Sequence, residues 1–374
     1  MTFVFRVDAS IKMGTGHVMR SLTLANELRA RGCACYFICR DHEGHLIKKI
    51  ENFCFKVYVL SNDSTFDFMS DNDESKDDIS AGLDAEHLLF HANWLGTTQM
   101  QDAQDCIPIL VNLKPDWLIV DHYALDYHWQ SLVAPYHDKL MVIDDLGDRV
   151  HIADLLLDQN YGATTNKYEG LVPNSCKVLA GTDFSLLRPE FALWREDSLK
   201  RRNSNISVNH ILITLGGVDP DNYTEQILHG LSCIQLSQQI EITVVMGETA
   251  PFLENIKSKA ASMAVKTTVI INASNMAELM SNADLAIGAA GATTWERCCL
   301  GLPTIQLITA ENQRKIAEDL ASDSMIKLLR DISELNELIA TIETWISLIG
   351  SRTQRITDGL GARRVSNHML EGHK

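Results

Sequence analysis

The sequence contains no apolar run long enough to cross a membrane. A transmembrane helix needs roughly 20 consecutive apolar residues, and charged or polar residues interrupt every apolar segment here before that length. The first residues also lack the basic-then-apolar pattern of a secretory signal, because Met1 leads almost directly into the strand-like segment 3–7. We therefore expect a cytoplasmic protein that has no membrane as its partner.

Positive charge is also scarce. The 374 residues include 33 Lys and Arg against 49 Asp and Glu, which gives a formal net charge of -16 at pH 7. A protein this acidic repels a nucleic-acid backbone and an anionic lipid surface, so we expect neither as a partner. A small anionic ligand is still compatible with this charge, because backbone N–H groups and helix dipoles can bind it locally.

Paired cysteines and convincing metal-ligand spacings are missing as well. None of the nine cysteines forms a C-x-x-C pair, which favours reduced, buried thiols in a reducing compartment. A D-x-D pair at 71–73 lies in the acidic stretch 61–84, which we interpret as a solvated loop. A second D-x-D at 219–221 is better explained by helix capping, and His87 and His91 by a surface helix. We therefore expect no metal ion and no cofactor.

The chain is organised around a short glycine loop that departs from two common phosphate-binding motifs. G-T-G-H at 14–17 follows the segment 3–7 and precedes a helical pattern over 17–31. Met19 occupies the place of the third glycine of a dinucleotide-binding motif, and no Gly-Lys-Ser/Thr follows as in a P-loop. The loop could approach an anion closely, and His17 at the helix start could transfer a proton beside it. Taken alone, the segment fits a simple turn capped by His17 equally well.

Alternating strand and helix patterns over 1–200 predict a first domain with a parallel sheet and helices on both faces. Further strands are predicted at 33–39, 55–60, 117–121, 140–143 and 155–157. Three of them end in polar clusters, which begin at Asp121, Asp144 and Asp158. The carboxyl ends of parallel strands share one sheet edge, so these clusters and the G-T-G-H loop indicate a ligand site there. Capping of the following helix would explain each acid singly.

A polar stretch over 195–205 predicts the boundary to a second domain, 206–374, with the same alternation. Its strands are predicted at 211–215, 242–246, 268–271, 285–287 and 304–308. A glycine-containing turn at 288–294 opens a helix near Glu296, where backbone N–H groups could bind a diphosphate and the carboxylate a ribose diol. By itself, Glu296 is better explained as an acid favoured by the helix dipole.

Motifs in both domains together resemble those of one enzyme family. They are RVDAS through GTGHVMR at 6–20, IDDL at 143–146, LLDQNY at 156–161, LRPEF at 187–191, LGGVDP at 215–220, the segment 288–303 with its WERCCLGLP, and ENQ at 311–313. In this order they resemble the UDP-2,4-diacetamido-2,4,6-trideoxy-β-L-altropyranose hydrolases of bacterial pseudaminic acid biosynthesis. The departures are the acidic stretch 61–84 and the residues Val7 and Met13, and none of them touches the implied chemistry.

The resemblance implies an α/β fold of the GT-B type, with two Rossmann-like doubly wound domains facing each other across a cleft. It implies metal-independent, inverting hydrolysis of the UDP-linked diacetamido sugar, with His17 as the general base for water. Residues expected to bind the substrate are Asp8, Gly14, Gly16, Arg20, Asp121, Tyr123, Asp144, Asp145 and Asn160. Residues expected to bind UDP are Gly216, Gly217, Met246, Met276, Gly291, Ala292, Thr293, Glu296, Asn312 and Gln313. We expect a monomer.

Other interpretations of the same residues stay open. Any of Asp8, Asp121, Asp144 and Asp145 could orient His17 or contact the sugar. A GT-B glycosyltransferase would use His17 to activate an acceptor hydroxyl, and a UDP-sugar 2-epimerase would also use a UDP-amino sugar. A nucleotide-sugar binding module without turnover is a further alternative, although it would have no need of a histidine in the glycine loop.

Overall fold

The computed structural model describes residues 1–62, 89–204, 207–310 and 313–371. The chain divides into two compact units. The first comprises Met1–Gln159, Ala163–Leu186 and Ala362–Lys374, and the second comprises Asn160–Gly162 and Leu187–Gly361. Among the described residues, no helix combines the length and the apolar character that a membrane span requires.

The first unit is built on a parallel sheet. Its strands are β1 (Thr2–Val7), β2 (Ala34–Arg40), β3 (Lys56–Leu60), β4 (Trp117–Asp121), β5 (Lys139–Ile143), β6 (Leu155–Asp158) and β7 (Lys177–Ala180). The helices between them are α1 (Gly16–Ala30), α2 (Ile47–Asn52), α3 (Gln99–Leu113) and α4 (Tyr127–Val133). The seven strands lie in the order β3-β2-β1-β4-β5-β6-β7, which begins as a doubly wound sheet does.

Strand β1 shows why helices cover both faces of this sheet. Phe3 and Phe5 belong to a core cluster that includes residues of α1, whereas Val4 belongs to a second cluster with Leu110 of α3 and Trp129 of α4. Successive side chains of a strand point to opposite faces, so the nearly continuous apolar run of β1 fills two cores at once. The predicted strands of this unit are confirmed, and β7 and α4 are additional.

The second unit repeats the architecture. Its strands are β8 (His210–Thr214), β9 (Glu241–Met246), β10 (Thr267–Ile271), β11 (Leu285–Ala289), β12 (Thr304–Leu307) and β13 (Lys327–Leu329). They lie in the order β10-β9-β8-β11-β12-β13, all parallel. The helices are α5 (Pro189–Ser204), α6 (Tyr223–Ser232), α7 (Leu253–Ala261), α8 (Met276–Asn282), α9 (Thr293–Cys299), α10 (Arg314–Ser322), α11 (Leu335–Ala340) and α12 (Ile342–Thr353).

The boundary between the units differs from the predicted one. The polar stretch at 195–205 is not a linker over its described part, because it completes helix α5, which belongs to the second unit. Arg202 near the end of α5 donates hydrogen bonds to the carbonyls of Met280 and Ala283, each at 2.7 Å. Arg201 and Arg202 of this stretch therefore bind carbonyl groups at the end of α8.

The last helix, α13 (Gly361–Leu370), returns to the first unit from Ala362 onward. Val365 and Met369 are fully buried in the same core cluster as Phe3 and Phe5. The indole Nε1 of Trp117 donates a hydrogen bond to the Met369 carbonyl at 3.1 Å. The predicted extent of the second domain, 206–374, is therefore too long at its carboxyl end.

Candidate active site

The G-T-G-H loop joins β1 to α1 in a backbone conformation that requires its first glycine. Gly14 has φ of +76°, and its N–H donates a hydrogen bond to the Ser10 carbonyl at 2.9 Å. The side chain of Thr15, which precedes α1, makes no capping hydrogen bond. A Cβ atom placed on Gly14 or Gly16 would meet no atom within 4 Å. The exposed loop therefore leaves space beside uncapped N–H groups, where an anion could approach.

His17 at the start of α1 meets Asp121 because β1, which leads into α1, lies beside β4, which ends at Asp121. Val7 at the end of β1 pairs in register with Asp121 at the end of β4, although His17 and Asp121 are 104 residues apart in sequence. Nδ1 of His17 lies 2.6 Å from Oδ1 of Asp121. A carboxylate only accepts hydrogen bonds, so the proton of this contact lies on Nδ1 of His17; in a neutral imidazole this arrangement places the lone pair on Nε2.

Arg20 links two carboxylates in this site. It contacts Asp121 through Nε and Nη2, and its Nη1 lies 3.3 Å from Oδ2 of Asp145. Burial alone would raise the pKa of Asp121, but Arg20 and then His17 outweigh it and hold this pKa below its usual range. Arg20 and a hydrogen bond from Tyr123 overcome burial in the same way and lower the pKa of Asp145. Burial raises the pKa of Tyr123, so its hydroxyl stays a donor to Asp145.

Four aromatic rings, His17, His91, Trp94 and Tyr123, form what we call the aromatic cluster. Tyr123 is central, with ring centroids 4.6 Å from His17, 5.3 Å from His91 and 5.8 Å from Trp94. His91 lies 4.2 Å from Trp94, and burial lowers the pKa of His91. The prediction of a surface helix at His91 is wrong, because His91 directly precedes a 3-10 turn at Ala92–Trp94. His87 and residues 63–84 of the acidic stretch lie outside the described residues.

Asp8, which was predicted to contact the substrate, has a fully buried side chain. Its Oδ1 lies 2.7 Å from Nη1 of Arg6 and accepts the Arg40 backbone N–H at 2.7 Å. Its Oδ2 lies 3.3 Å from Nε2 of His122 and 3.5 Å from Nε2 of His42. Burial would raise the pKa of Asp8, but Arg6 outweighs it and holds the pKa well below the usual range. The Asp8 carboxylate is therefore paired with buried groups of the protein itself, and its contact with the substrate stays a prediction.

Asp144 and Asn160, which were both predicted to bind the substrate, follow the ends of β5 and β6. The Asp144 carboxylate lies 2.8 Å from Nη2 of Arg149 and accepts the Gly147 N–H at 2.9 Å, which fixes the turn after β5. Burial raises the pKa of Asp144 in spite of Arg149. Asn160 follows β6 and belongs to the segment Asn160–Gly162 of the second unit. Within the described ranges, no group of three or more His, Cys, Asp or Glu side chains is arranged to hold a metal ion.

The second unit carries its own glycine turn, between β11 and α9. Gly291 has φ of +133°, and Gly291 and Ala292 are exposed. Beneath the turn, the buried Arg297 donates to the Ala289 carbonyl at 2.8 Å and to Oε1 of Gln306 at 3.1 Å. A Cβ atom on Gly288 would lie 2.6 Å from Nη1 of Arg297, so only glycine fits there. Arg297 therefore sets the shape of the turn from below.

Glu296 lies one turn into α9 and faces Arg188, which sequence reasoning did not select although it belongs to the LRPEF motif. Nη2 of Arg188 lies 3.4 Å from Oε1 of Glu296, and Nη1 lies 2.9 Å from Oε1 of Glu190. Burial raises the pKa of Glu296, and Arg188 offsets only part of this. The side chain of Glu296 is 15% exposed. Glu296 is thus a carboxylate that a ligand hydroxyl could still reach.

Most other residues expected to bind UDP lie at strand ends of this unit. The Gly247 N–H donates to the Gly217 carbonyl at 2.8 Å, which draws the ends of β8 and β9 together beside Gly216. Oε1 of Gln313 accepts from Thr309, and its Nε2 would lie 3.5 Å from a Cβ on Gly291. The Met246 side chain lies in the core, so only its backbone can face a ligand. Met276 begins α8 half-buried. Asn312 lies outside the described residues.

Comparison with known proteins extends these observations. Residues 210–355 match the glycosyltransferase family 28 C-terminal domain. Over 323 residues the chain is 27% identical to the uncharacterized protein MJ1062 of Methanocaldococcus jannaschii, covering 85% of this chain and 58% of that protein. Over 322 residues it is 25% identical to the UDP-2,4-diacetamido-2,4,6-trideoxy-β-L-altropyranose hydrolase of Campylobacter jejuni, covering 86% of this chain and 96% of that protein.

Among solved structures, MurG of Acinetobacter baumannii is similar to this chain with a TM-score of 0.67 and 15% sequence identity, over 99% of both chains. The two parallel sheets of this chain are consistent with this structural similarity. The chain has the α/β GT-B fold, as its motifs predicted.

Proposed function

We propose that this protein hydrolyses UDP-2,4-diacetamido-2,4,6-trideoxy-β-L-altropyranose to UDP and the free sugar, with His17 as the general base for water. The observation that carries the proposal is the His17–Asp121 pair at the start of α1, which leaves Nε2 of His17 as a proton acceptor. The choice of substrate is supported by the name of the Campylobacter relative and by the match, which covers 96% of that protein.

In this reaction Nε2 of His17 removes a proton from water as the water oxygen bonds to the anomeric carbon. The bond from that carbon to the phosphate oxygen breaks, and UDP takes the electron pair. The transition state has oxocarbenium character, and a single displacement inverts the anomeric configuration. Asp121 holds the imidazole in the required tautomer and stabilises the imidazolium that forms, which is the usual role of a carboxylate behind a catalytic histidine.

The second unit would bind the UDP portion. The exposed backbone at Gly291 and Ala292, with Thr293, offers N–H groups to the diphosphate. The Glu296 carboxylate could accept hydrogen bonds from a ribose diol, while Arg188 keeps it oriented. Diphosphate is a good leaving group, so neutralising its charge reduces the need for a strong general acid.

A glycosyltransferase is the second candidate function. It is favoured by the match of residues 210–355 to a glycosyltransferase family 28 domain and by the fold shared with MurG. In that reaction the same lone pair of His17 would accept the proton of a sugar hydroxyl. The two functions differ in whether water or an acceptor hydroxyl attacks the anomeric carbon.

The experiment is to measure UDP release from the diacetamido UDP-sugar in excess EDTA with no acceptor added. We expect steady turnover by the native protein, a loss of about a hundredfold or more in His17→Ala, and little change in UDP affinity. Lys12→Ala, an exposed change in the same loop, is the matched control and should keep native turnover. Turnover that begins only with an acceptor would establish a transferase, and conversion to the C2 epimer without UDP release would establish an epimerase.

A further inference from the structure

An aromatic side chain that no motif selected lies beside the proposed base. The ring centroid of Trp94 is 6.3 Å from that of His17, edge-on at 78°, and it stacks on Tyr123 at 29°. Tyr123 is buried and its hydroxyl bonds to Asp145, whereas Trp94 stays partly exposed. Trp94 is therefore an aromatic residue of the cluster that a ligand at His17 could reach.

The backbone around Trp94 holds this indole in place. The next residue, Leu95, is buried in the core under the sheet, and Gly96 turns with φ of +71° against His42. Oγ1 of Thr98 then caps α3 by accepting the Gln101 N–H at 3.1 Å. Trp94 is thus fixed between a core contact and a capped helix, as a preorganised binding surface requires.

We infer that Trp94 contacts the sugar of the substrate and selects sugars that carry methyl groups. This inference rests on the proposed function, in which the sugar bears two acetyl methyl groups and a methyl at C6. An aromatic ring buries methyl and C–H groups favourably, but it offers no partner to a hydroxyl. A sugar with hydroxyl groups in these places would lose its hydrogen bonds to water on this surface. Trp94 is thus a specificity-determining residue that acts beside the base.

Binding measurements separate this role from simple packing on Tyr123. Calorimetry in a His17→Ala background, where hydrolysis should be slowed about a hundredfold or more, would give Kd for UDP, for UDP-N-acetylglucosamine and for the diacetamido UDP-sugar. Trp94→Ala should raise Kd for the diacetamido UDP-sugar roughly 10-fold or more, because the contacts to its methyl groups are lost. Kd for UDP-N-acetylglucosamine should rise less. Kd for UDP should not change, and a native circular dichroism spectrum would show that the variant is folded.

Two further variants make the result specific to the indole. Trp94→Phe keeps an aromatic surface and should retain most of the preference. Phe90→Ala removes an aromatic ring that is 89% exposed in the same segment, and it should leave all three Kd values unchanged. If Trp94→Ala weakened the binding of UDP and of both UDP-sugars by the same factor, Trp94 would have a structural role, and the inference would be overturned. Unchanged Kd values in Trp94→Ala would overturn the inference as well. It would also be overturned if the His17→Ala protein with Trp94 intact bound the diacetamido UDP-sugar no more tightly than UDP.

The inference and the proposed function can fail separately. If Trp94→Ala loses the methyl-dependent affinity but the native protein does not hydrolyse the bound sugar, Trp94 contacts the sugar and the hydrolase assignment is wrong. If the native protein hydrolyses the sugar and Trp94→Ala keeps the native ratio of kcat/KM between the two UDP-sugars, the hydrolase stands and the role of Trp94 is refuted.

Discussion

The guanidinium of Arg20 donates two hydrogen bonds to the carboxylate of Asp121, from Nε to Oδ2 at 2.7 Å and from Nη2 to Oδ1 at 2.6 Å. Such a bidentate pair fixes the plane of the carboxylate as well as its charge. Because Oδ1 also faces Nδ1 of His17, Arg20 orients the proposed base through Asp121. The function proposed for the first unit depends on these contacts among Arg20, Asp121 and His17.

Asp121→Asn should lower kcat by about a hundredfold or more while UDP affinity stays native. The amide can donate a hydrogen bond to Nδ1 of His17, which would place the ring proton on Nε2 and leave no base there. Steady-state kinetics and calorimetry with UDP would measure the two effects. Asp148→Asn alters a carboxylate with a 45% exposed side chain in the loop after β5, and it should keep native kcat. A native kcat in Asp121→Asn would mean that His17 does not depend on Asp121.

Asp8→Asn tests whether Asp8 is structural, as its contacts indicate, or binds substrate, as the motifs predicted. Removing this charge leaves Arg6 buried with one carboxylate partner fewer, and breaking a buried ion pair typically costs about 3–5 kcal/mol. We expect the free energy of unfolding, measured in urea, to fall by about this amount, with little change in KM of the folded fraction. Native stability with a raised KM would restore the predicted contact with the substrate.

Stability should decline in acid because buried carboxylates have lowered pKa values in the folded protein. Burial opposes this, but the guanidinium groups of Arg6, Arg20 and Arg40 outweigh it for Asp8, Asp102, Asp121 and Asp145. A lowered pKa contributes stability above the unfolded value, about 3.9, and this stability is lost as pH falls through the folded pKa. Urea unfolding at pH 6, 4 and 3 should show a decline below about pH 4. A flat profile would contradict these shifts.

Glu296→Gln should weaken UDP binding. A charged acceptor that loses its hydrogen bonds to a diol costs about 1.5–3 kcal/mol, which corresponds to roughly a 10- to 150-fold rise in Kd. Calorimetry with UDP measures this directly. Glu190→Gln is the matched control, since Glu190 pairs with the same Arg188. Equal losses in both variants would show that the effect arises from Arg188, and native affinity in Glu296→Gln would mean that Glu296 only supports its helix.

The fold could be predicted largely from the sequence because its signals are local. Strand β1, the G-T-G-H loop and α1 follow from an apolar run, two glycines and a helical pattern. The polar end of α5 was misinterpreted, because sequence does not show that Arg202 binds carbonyls of another helix. The return of α13 was not predicted either, since it depends on Met369 and Trp117, which are 252 residues apart.

The sequence predicted which types of residue form the candidate site, but it did not predict which side chains contact each other. Four acids could have oriented His17, and only the order of the strands, with β1 beside β4, selects Asp121. Trp94 gave no signal because it lies on a three-residue 3-10 turn without helical or strand periodicity. Arg188 lay in a recognised motif, but its pairing with Glu296 spans 108 residues.

Hydrolysis in oxygen-18 water tests the central claim most directly. In the proposed reaction, water activated by His17 attacks the anomeric carbon, so mass spectrometry should find the label in the sugar and none in UDP. NMR of the first product should show the inverted anomer, because a single displacement inverts that centre. Label in UDP would mean that water attacks the β-phosphorus and that the bond from this phosphorus to the sugar oxygen breaks, which would contradict the role assigned to His17.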